Sequence, residues 1–395
     1  MLKHMNLIAN LCRFALKDNP SPDVIKATLK LRDAIAKDGL EIEARALGAL
    51  VDKATTKKVL GLDSKKISWS KASSPNSGGV LTPSVPLPVD KETGTPLVEI
   101  AFPIDIEEFE RLHTFDLDIK NAIDGITTEW AFSDQLRSNG VQPSYSCLFF
   151  GKPGTGKTEL AKYLAAKLGL PLVLARLDSL LSSYLGTSSR NIASLFEFVE
   201  KYDCVLLLDE FDAIAKYRDD SKEVGEIKRV VNTLLQCLDR RKELGIVVAT
   251  TNHEKLLDPA VWRRFQNKIC VKAPSKETRR RIIESYLSPM TLEPGQLDFL
   301  SLVLNEFTPA DIKNCIEFIK RFTIINQTHS VDLYRSIKSY FFINANVSND
   351  FVDMLVNNNE KELAKILRNE LSYTTKDLSE LFGKNKSTIS RWMKG

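Results

Sequence analysis

The sequence predicts an α/β protein in which helices cover both faces of a largely parallel β-sheet. Three apolar segments support this fold class, because each has the length of a strand and ends in polar residues. They are Cys147–Phe150, Val205–Leu208 and Gly245–Thr251. Helix-forming stretches lie between them, as expected where parallel strands alternate with helices. Ligands bind at the carboxyl ends of strands in such sheets, so the polar residues there are candidates for a functional site.

The first strand leads into Gly151–Thr158, which fits the pattern G-x-x-x-x-G-K-[ST]. Glycines let main-chain N–H groups turn towards phosphate oxygens, and the next helix adds the positive end of its dipole. Lys157 supplies charge for the β and γ phosphates, and the Thr158 hydroxyl is a candidate Mg²⁺ ligand. A glycine-rich turn without a ligand would not require this lysine and threonine. The predicted ATP-binding residues are Gly151, Lys152, Pro153, Gly154, Thr155, Gly156, Lys157, Thr158 and Glu159.

Two acidic residues follow the second strand directly. Asp209 is predicted to hold Mg²⁺, directly or through water, and Glu210 to polarise the water that attacks the γ-phosphate. An acidic pair after a strand is usually a solvated turn. Together with the phosphate loop, the pair favours a catalytic role.

The third strand is followed by Asn252, whose amide could orient the attacking water or contact the γ-phosphate. Arg263 and Arg264 follow shortly after. Adjacent arginines suit stabilisation of transition-state charge on the nucleotide of a neighbouring subunit. The alternative for these arginines is a surface ion pair.

Taken in order, these segments resemble the AAA family of ring-forming ATPases, over about residues 97–345. Gly151–Thr158 matches the Walker A motif of that family, and Val205–Glu210 matches its Walker B motif. Asn252 falls at its sensor 1 position. The resemblance implies a P-loop NTPase fold, hydrolysis of ATP with Mg²⁺, and assembly into a ring, expected to be a hexamer.

Three further stretches match the family. The segment with Arg263 and Arg264 resembles the region of its arginine fingers. Phe307–Ile312 resembles the start of a lid helix that lies against the nucleotide, which implicates Ala310 in binding; Pro309 replaces the usual glycine. Tyr184, Leu185 and Gly186 resemble a pore loop that grips a protein chain. The alternative for Tyr184 is a surface aromatic residue before a helix.

Composition agrees with an ordinary globular protein. The 395 residues are 43% hydrophobic and 27% charged, and the net charge of +4 does not by itself argue for nucleic-acid binding. The longest apolar runs are strand-sized, so no membrane partner is expected. The first residues lack the features of a signal peptide. Six cysteines without C-x-x-C spacing and four histidines support neither disulfides nor zinc, and a cytoplasmic location is predicted.

The predicted organisation has five parts. Residues 1–66 form a helical module that docks a partner or caps the ring, and residues 67–96, rich in Ser, Pro and Gly, form a flexible linker. The α/β core covers 97–275 and the helical lid 276–346. Residues 347–395 form a three-helix module that resembles a helix-turn-helix.

The last module carries basic and hydroxyl side chains on its second half. Thr374–Gly383 resembles the first helix and turn, and Lys384–Lys394 resembles a recognition helix. Its candidate DNA contacts are Lys386, Ser387, Thr388, Ser390 and Arg391. The alternative is a degenerate module that docks protein.

Two classes of function therefore stay open. The first is a ring that remodels or unfolds a protein client. The chain resembles bacterial single-ring ATPases, some of which are thought to be paired with a subtilisin-like protease. The second is a DNA-directed ATPase, such as a loader or transposition ATPase, recruited through the helix-turn-helix.

Overall fold

The computed structural model describes residues 79–83, 85–180, 187–213, 224–240, 245–327, 331–344, 350–357 and 359–394. All of these residues belong to one compact unit. The predicted module over 1–66 lies outside the described residues, as do Tyr184, Leu185 and Gly186. None of the helices in the described part of the chain combines the length and apolar character needed to cross a bilayer.

Six strands form one sheet: β1 (Val98–Ala101), β2 (Ser146–Phe150), β3 (Leu172–Ala175), β4 (Val205–Leu208), β5 (Val247–Thr251) and β6 (Asn267–Cys270). Their order is β1-β3-β4-β5-β2-β6. β1 runs antiparallel to β3, and the other four pairings are parallel. Every residue of β4 and β5 is buried, as expected of apolar strands covered on both faces. The predicted α/β fold is confirmed.

Helices cover this sheet. They are α1 (Ile106–Leu112), α2 (Leu117–Ala131), α3 (Ser133–Ser138), α4 (Lys157–Leu168), α5 (Leu177–Leu180), α6 (Thr187–Val199), α7 (Val224–Arg240) and α8 (Pro259–Trp262). Leu206 and Val247 of the sheet join Leu195 and Phe196 of α6 in one hydrophobic core. Burial of this apolar surface holds the strands in register, so the loops after β2, β4 and β5 meet at one edge of the sheet.

The chain after residue 275 is helical: α9 (Lys276–Leu287), α10 (Pro294–Val303), α11 (Pro309–Ile325), α12 (Leu333–Ile343), α13 (Asp350–Val356), α14 (Glu360–Leu371), α15 (Thr375–Phe382) and α16 (Lys386–Lys394). Ile316, Leu355, Leu367 and Ile389, from four of these helices, are fully buried in one continuous core. The predicted boundary at residue 346 therefore does not separate two cores. The last three helices pack on the lid as part of it.

The predicted flexible linker differs from the structure in its second half. Leu81 and Asp90 are only 4% and 2% exposed. The Asp90 carboxylate accepts hydrogen bonds from the main-chain N–H of Glu92, at 2.8 Å, and from the Asn191 amide of α6, at 3.1 Å. The expectation of a flexible linker is therefore wrong for the described residues 79–83 and 85–96. The prolines there disfavour regular helix, but they do not prevent close packing.

Candidate nucleotide and magnesium site

The phosphate loop connects β2 to α4. α4 begins at Lys157, directly after Gly156, whose φ of 92° lies in the left-handed region that favours glycine. Gly151, with φ of 146°, is equally constrained, because a Cβ atom there would lie 2.2 Å from the carbonyl oxygen of Val271. The sequence pattern therefore reflects backbone geometry as well as phosphate chemistry. Thr155 closes the loop with a hydrogen bond of 2.9 Å from its hydroxyl to the Lys152 carbonyl.

Lys157 is buried in this loop. Its ammonium group donates to the carbonyl oxygens of Gly151 and Lys152, at 2.9 and 2.8 Å. Burial lowers the pKa of Lys157, while the carboxylates of Asp209 and Asp212 act in the opposite direction. The cation is thus held at the loop by hydrogen bonds that a phosphate group can replace.

Thr158 and Asp209 are in direct contact. The Thr158 hydroxyl donates to the Asp209 carboxylate, at 2.9 Å from Oδ2 and 3.2 Å from Oδ1. These two residues are 51 positions apart in the chain, and the sheet brings them together across β5, which lies between β2 and β4. A hydroxyl and a carboxylate are the hard oxygen donors that Mg²⁺ prefers.

The number of protein ligands at this site also fits Mg²⁺. No group of three or more His, Cys, Asp or Glu side chains that could hold a metal is found within the described residues. Mg²⁺ at nucleotide sites is typically held by one or two protein oxygens together with phosphates and water. Thr158 and Asp209 are therefore sufficient as the protein's share of such a site.

Glu210 has an unusual backbone. Its φ of 51° places it in the left-handed region, which is rare for a residue other than glycine. Its N–H donates to the hydroxyl of Thr250, at 3.1 Å. The same hydroxyl forms a short hydrogen bond to the Asp209 carboxylate. Thr250 of β5 therefore contacts both acids of the predicted site.

A second set of hydrogen bonds joins the ends of β4 and β5. Asp212, which is buried, accepts from the Thr251 hydroxyl at 3.2 Å and from the Asn252 N–H at 3.4 Å. Asn252 is thereby fixed beside the acidic turn, at the predicted edge of the sheet. Sequence reasoning assigned no role to Thr250 or Asp212. The sequence pattern that could reveal them is a pair of hydroxyl residues at the end of one apolar strand together with an Asp-Glu-x-Asp turn after another.

The start of α11 lies against the phosphate loop. The Ala310 N–H donates to the Gly154 carbonyl at 3.2 Å. Thr308 caps the helix by accepting from the Asp311 N–H, and Pro309 occupies the first turn. Proline suits this position because its missing N–H has no partner inside the helix and its fixed φ is already helical. The replacement of glycine by Pro309 therefore leaves the turn intact.

The two arginines lie at the other end of the sheet. The Arg264 carbonyl accepts a hydrogen bond from the Ser146 hydroxyl at 3.0 Å, and Ser146 begins β2. The phosphate loop starts after Phe150, about 13 Å further along that strand. Arg264 also forms an exposed ion pair with Asp239 of α7, at 3.0 Å. Arg263, at the end of α8, has no ion-pair partner among the described residues.

Other predicted residues lie away from this cluster. The Glu159 carboxylate forms an ion pair with Lys162 at 2.8 Å. In α16, Lys386, Ser387 and Arg391 are exposed, and Thr388 and Ser390 are half-buried. The predicted positions of α15 and α16 agree with the structure, and Gly383 between them has φ of 60°. Binding of DNA by these helices stays a prediction.

Comparison with known proteins points to one family. A sequence model described as "ATPase family associated with various cellular activities (AAA)" matches residues 147–273. An uncharacterized AAA family ATPase of Sinorhizobium fredii is 39% identical over 203 residues, which is 51% of this chain and 61% of that protein. A putative 26S proteasome regulatory subunit homolog of Methanothermobacter thermautotrophicus is 38% identical over 171 residues, 42% of this chain and 46% of the relative.

A eukaryotic relative is similar over a comparable length. The 26S proteasome subunit RPT4 of Saccharomyces cerevisiae is 31% identical over 185 residues, 45% of this chain and 42% of that subunit. The chain thus spans less than two thirds of the length of these relatives.

Proposed function

Because residues 147–273 form an ATPase domain of the AAA family, we propose that this chain binds ATP with Mg²⁺ and hydrolyses it. The contact between Thr158 and Asp209 carries the proposal, since it joins the phosphate loop to the acidic end of β4. Lys157 would neutralise the β and γ phosphates, and Thr158 and Asp209 would hold the metal ion, which stabilises the charge that develops on those phosphates. Glu210 would polarise the attacking water and Asn252 would orient it.

We further propose that the chain assembles into a ring in which Arg263 and Arg264 act on the neighbouring subunit. The position of Arg264 beside Ser146, at the far end of β2, supports this role, because the arginines are too distant to serve their own phosphate loop. The ion pair of Arg264 with Asp239 is exposed and is worth roughly 0–1 kcal/mol, so it can be exchanged for a phosphate at little cost.

The work of the ring is proposed to be the remodelling or unfolding of a protein client. Two relatives support this class: one is named a putative 26S proteasome regulatory subunit homolog and the other a 26S proteasome subunit, and they are 38% and 31% identical over the matched region. Tyr184, Leu185 and Gly186 remain the proposed client-gripping loop. The resemblance to bacterial single-ring ATPases makes a subtilisin-like protease a candidate partner of the ring.

The decisive experiment separates ATP hydrolysis from binding of the protein client by the proposed pore loop. Tyr184→Ala should retain basal ATP hydrolysis within about a few-fold, because the loop is proposed to face the pore, and should abolish unfolding of a tagged model protein. Glu210→Gln should abolish both hydrolysis and unfolding while retaining ATP, and it should co-purify with its client. Loss of basal hydrolysis in Tyr184→Ala would show that this residue is structural, and an active wild-type ATPase that never alters a protein client would exclude remodelling.

A second function, binding of DNA, is favoured by one groove. It has a volume of about 510 Å³, lies between α14 and α16, and is lined by Lys365, Arg368, Asn369, Thr375, Ser390 and Met393. All of its polar side chains can donate hydrogen bonds, and it contains no carboxylate. Among the described residues, neither Lys365 nor Arg368 forms an ion pair. Lysine, arginine, asparagine and hydroxyl side chains such as those in this groove are the groups that contact phosphates of nucleic acid.

The groove gives a charge-matched test. The double variant Lys365→Gln/Arg368→Gln should weaken binding of a labelled duplex about tenfold or more and make its dependence on salt less steep by about one unit per charge. Lys313→Gln/Arg321→Gln removes two exposed charges of α11, which both face Glu317, and should leave binding unchanged. An equal effect of both pairs would indicate general electrostatics, and a wild-type chain that binds no DNA would exclude this function.

A further inference from the structure

We propose that Thr250 is a positioning residue that holds Asp209 and Glu210 in the geometry required for hydrolysis. This inference rests on the proposed ATPase activity. It concerns a side chain that does not touch the nucleotide and acts only through its two acidic neighbours.

One hydroxyl joins the two acids. Thr250 is only 1% exposed. Its hydroxyl donates to Oδ1 of Asp209 and accepts the N–H of Glu210 at 3.1 Å. A hydroxyl has one donor and two acceptor sites, so it can serve both partners at once. Among small side chains, serine also offers a donor and acceptors on a single oxygen.

The hydrogen bonds fix the carboxylate of Asp209. Thr250 donates to Oδ1, while Thr158 donates to Oδ2 at 2.9 Å. Each oxygen therefore has a donor from a different strand or helix, which sets the rotation of the carboxylate. Residues that orient a metal ligand in this way commonly change metal affinity or activity about 10–100-fold when they are replaced.

Thr250 also supports the strained backbone of Glu210. The left-handed conformation of a glutamate is unfavourable and persists only where the surroundings fix it. Thr250 fixes it from two sides, since its hydroxyl accepts the N–H of Glu210 and its carbonyl accepts the N–H of Phe211 at 2.8 Å. The Glu210 carbonyl in turn accepts the N–H of Ala213 at 2.9 Å. The direction in which the Glu210 side chain leaves the backbone depends on these contacts.

The test uses three variants at this position. Thr250→Val keeps the shape of the side chain and removes the hydroxyl. Thr250→Ala also removes the hydroxyl but places no methyl group beside the carboxylate. Thr250→Ser keeps the hydroxyl. Thr127→Val is the control, because Thr127 is also buried but its hydroxyl donates to the Asp124 carbonyl within α2. ATP turnover is measured, together with the affinity for a fluorescent ADP analogue in Mg²⁺ and in EDTA.

We expect Thr250→Val and Thr250→Ala to lower kcat about 10–100-fold and to reduce the gain in affinity that Mg²⁺ provides. Affinity in EDTA should stay within about twofold of wild type, and Thr250→Ser and Thr127→Val should resemble wild type in every measurement. The inference is overturned if the hydroxyl-free variants keep normal turnover and Mg²⁺ dependence. It is equally overturned if Thr250→Ser fails to rescue, or if affinity falls as much in EDTA as in Mg²⁺, because the role would then be structural. If wild type binds Mg²⁺-nucleotide without turnover, the proposed ATPase activity fails, and the affinity measurements still decide the role of Thr250.

Discussion

The main-chain N–H of Ala310 donates to the carbonyl oxygen of Gly154 at 3.2 Å, so the lid helix α11 begins on the phosphate loop itself. α11 shares its hydrophobic core with the C-terminal helices α14, α15 and α16. A nucleotide that shifts the loop would therefore act on a shared core that extends to the C-terminal helices. Because binding couplings are reciprocal, a ligand on the C-terminal helices would in turn change nucleotide affinity.

The first prediction tests this contact with Gly154→Ala. A Cβ atom at Gly154 would lie 2.9 Å from both the Ala310 Cβ and the Thr308 hydroxyl, which pushes the lid away. Nucleotide affinity should fall about tenfold, and hydrogen exchange at the Ala310 amide should increase.

Gly140→Ala is the matched control for that variant. Gly140 has φ of 75°, close to the 78° of Gly154, but its added Cβ would meet nothing within 4 Å. The control carries the same backbone strain and should lower stability by about 1 kcal/mol without changing nucleotide affinity. If both variants bind nucleotide equally poorly, strain and not the lid contact explains the loss.

The second prediction separates binding from turnover. Lys157→Ala removes the charge proposed to neutralise the bound phosphates and should abolish nucleotide binding. Glu210→Gln should retain ATP affinity and lose hydrolysis, because Glu210 is proposed to act on the attacking water. Equilibrium binding and phosphate release measure the two effects, and loss of binding in both variants would contradict the division of roles.

Most of the site could be predicted because its residues follow apolar strands at fixed spacing. Lys157, Thr158, Asp209 and Asn252 each come directly after a strand or loop that periodicity reveals, and parallel strands bring their carboxyl ends together. Thr250 could not be found in this way. Its role depends on which face of β5 meets the turn after β4, and that register is fixed by packing across the whole sheet.

The domain boundaries show a second limit of the sequence. The three C-terminal helices could be predicted because their capping residues and Gly383 are local signals. Their shared core with the lid was missed, since Leu378 and Ile389 have the same helical spacing whether they pack among themselves or on α12. Only the arrangement in space decides between these partners.

The third prediction concerns that shared core. Leu378 is fully buried in it, and Leu378→Ala should lower the free energy of unfolding by about 2–5 kcal/mol. Hydrogen exchange should increase in α12 as well as in α14–α16, because Tyr334 of α12 packs edge-on against Phe382 of α15 with ring centroids 5.0 Å apart. Ile343→Ala, at a residue that is 68% exposed, is the control and should change stability by less than about 0.5 kcal/mol. Faster exchange confined to α14–α16 would mean that these helices fold independently of the lid.

The fourth prediction is a dependence of stability on pH through Glu110. The Tyr163 hydroxyl donates to the Glu110 carboxylate at 2.7 Å and is the main reason that the pKa of Glu110 lies below its ordinary value of 4.5. A carboxyl group with a lowered pKa stabilises the fold above that ordinary value, and this contribution is lost as the pH falls through the folded-state pKa. Tyr163→Phe should therefore cost about 1 kcal/mol at pH 7, a reduced figure because the Glu110 side chain is 37% exposed to solvent, and less near pH 3. Urea denaturation at both pH values measures the difference, and an equal cost at both would show that the effect does not depend on the charge of Glu110.

The last prediction tests the ring through Arg263 and Arg264. Under the proposed role in trans, the double variant Arg263→Ala/Arg264→Ala keeps its own phosphate loop but loses its support of the neighbouring nucleotide, so it should bind ATP and hardly hydrolyse it. Lys157→Ala has the opposite defect, since it lacks a functional nucleotide pocket but keeps both arginines. Each variant alone should be nearly inactive, whereas a mixture should regain activity at interfaces that pair an intact nucleotide pocket with intact arginines.

This recovery should be well above background, because an arginine acting in trans contributes a factor on the order of 10³ or more. Specific activity of wild type should also rise with protein concentration as rings assemble. Asp239→Asn then assigns the roles. Arg264 must leave Asp239 to reach a neighbour, so Asp239→Asn should raise activity if Arg264 is the main residue and should leave activity unchanged if Arg263 is. If mixing restores nothing and specific activity is independent of concentration, neither arginine acts in trans.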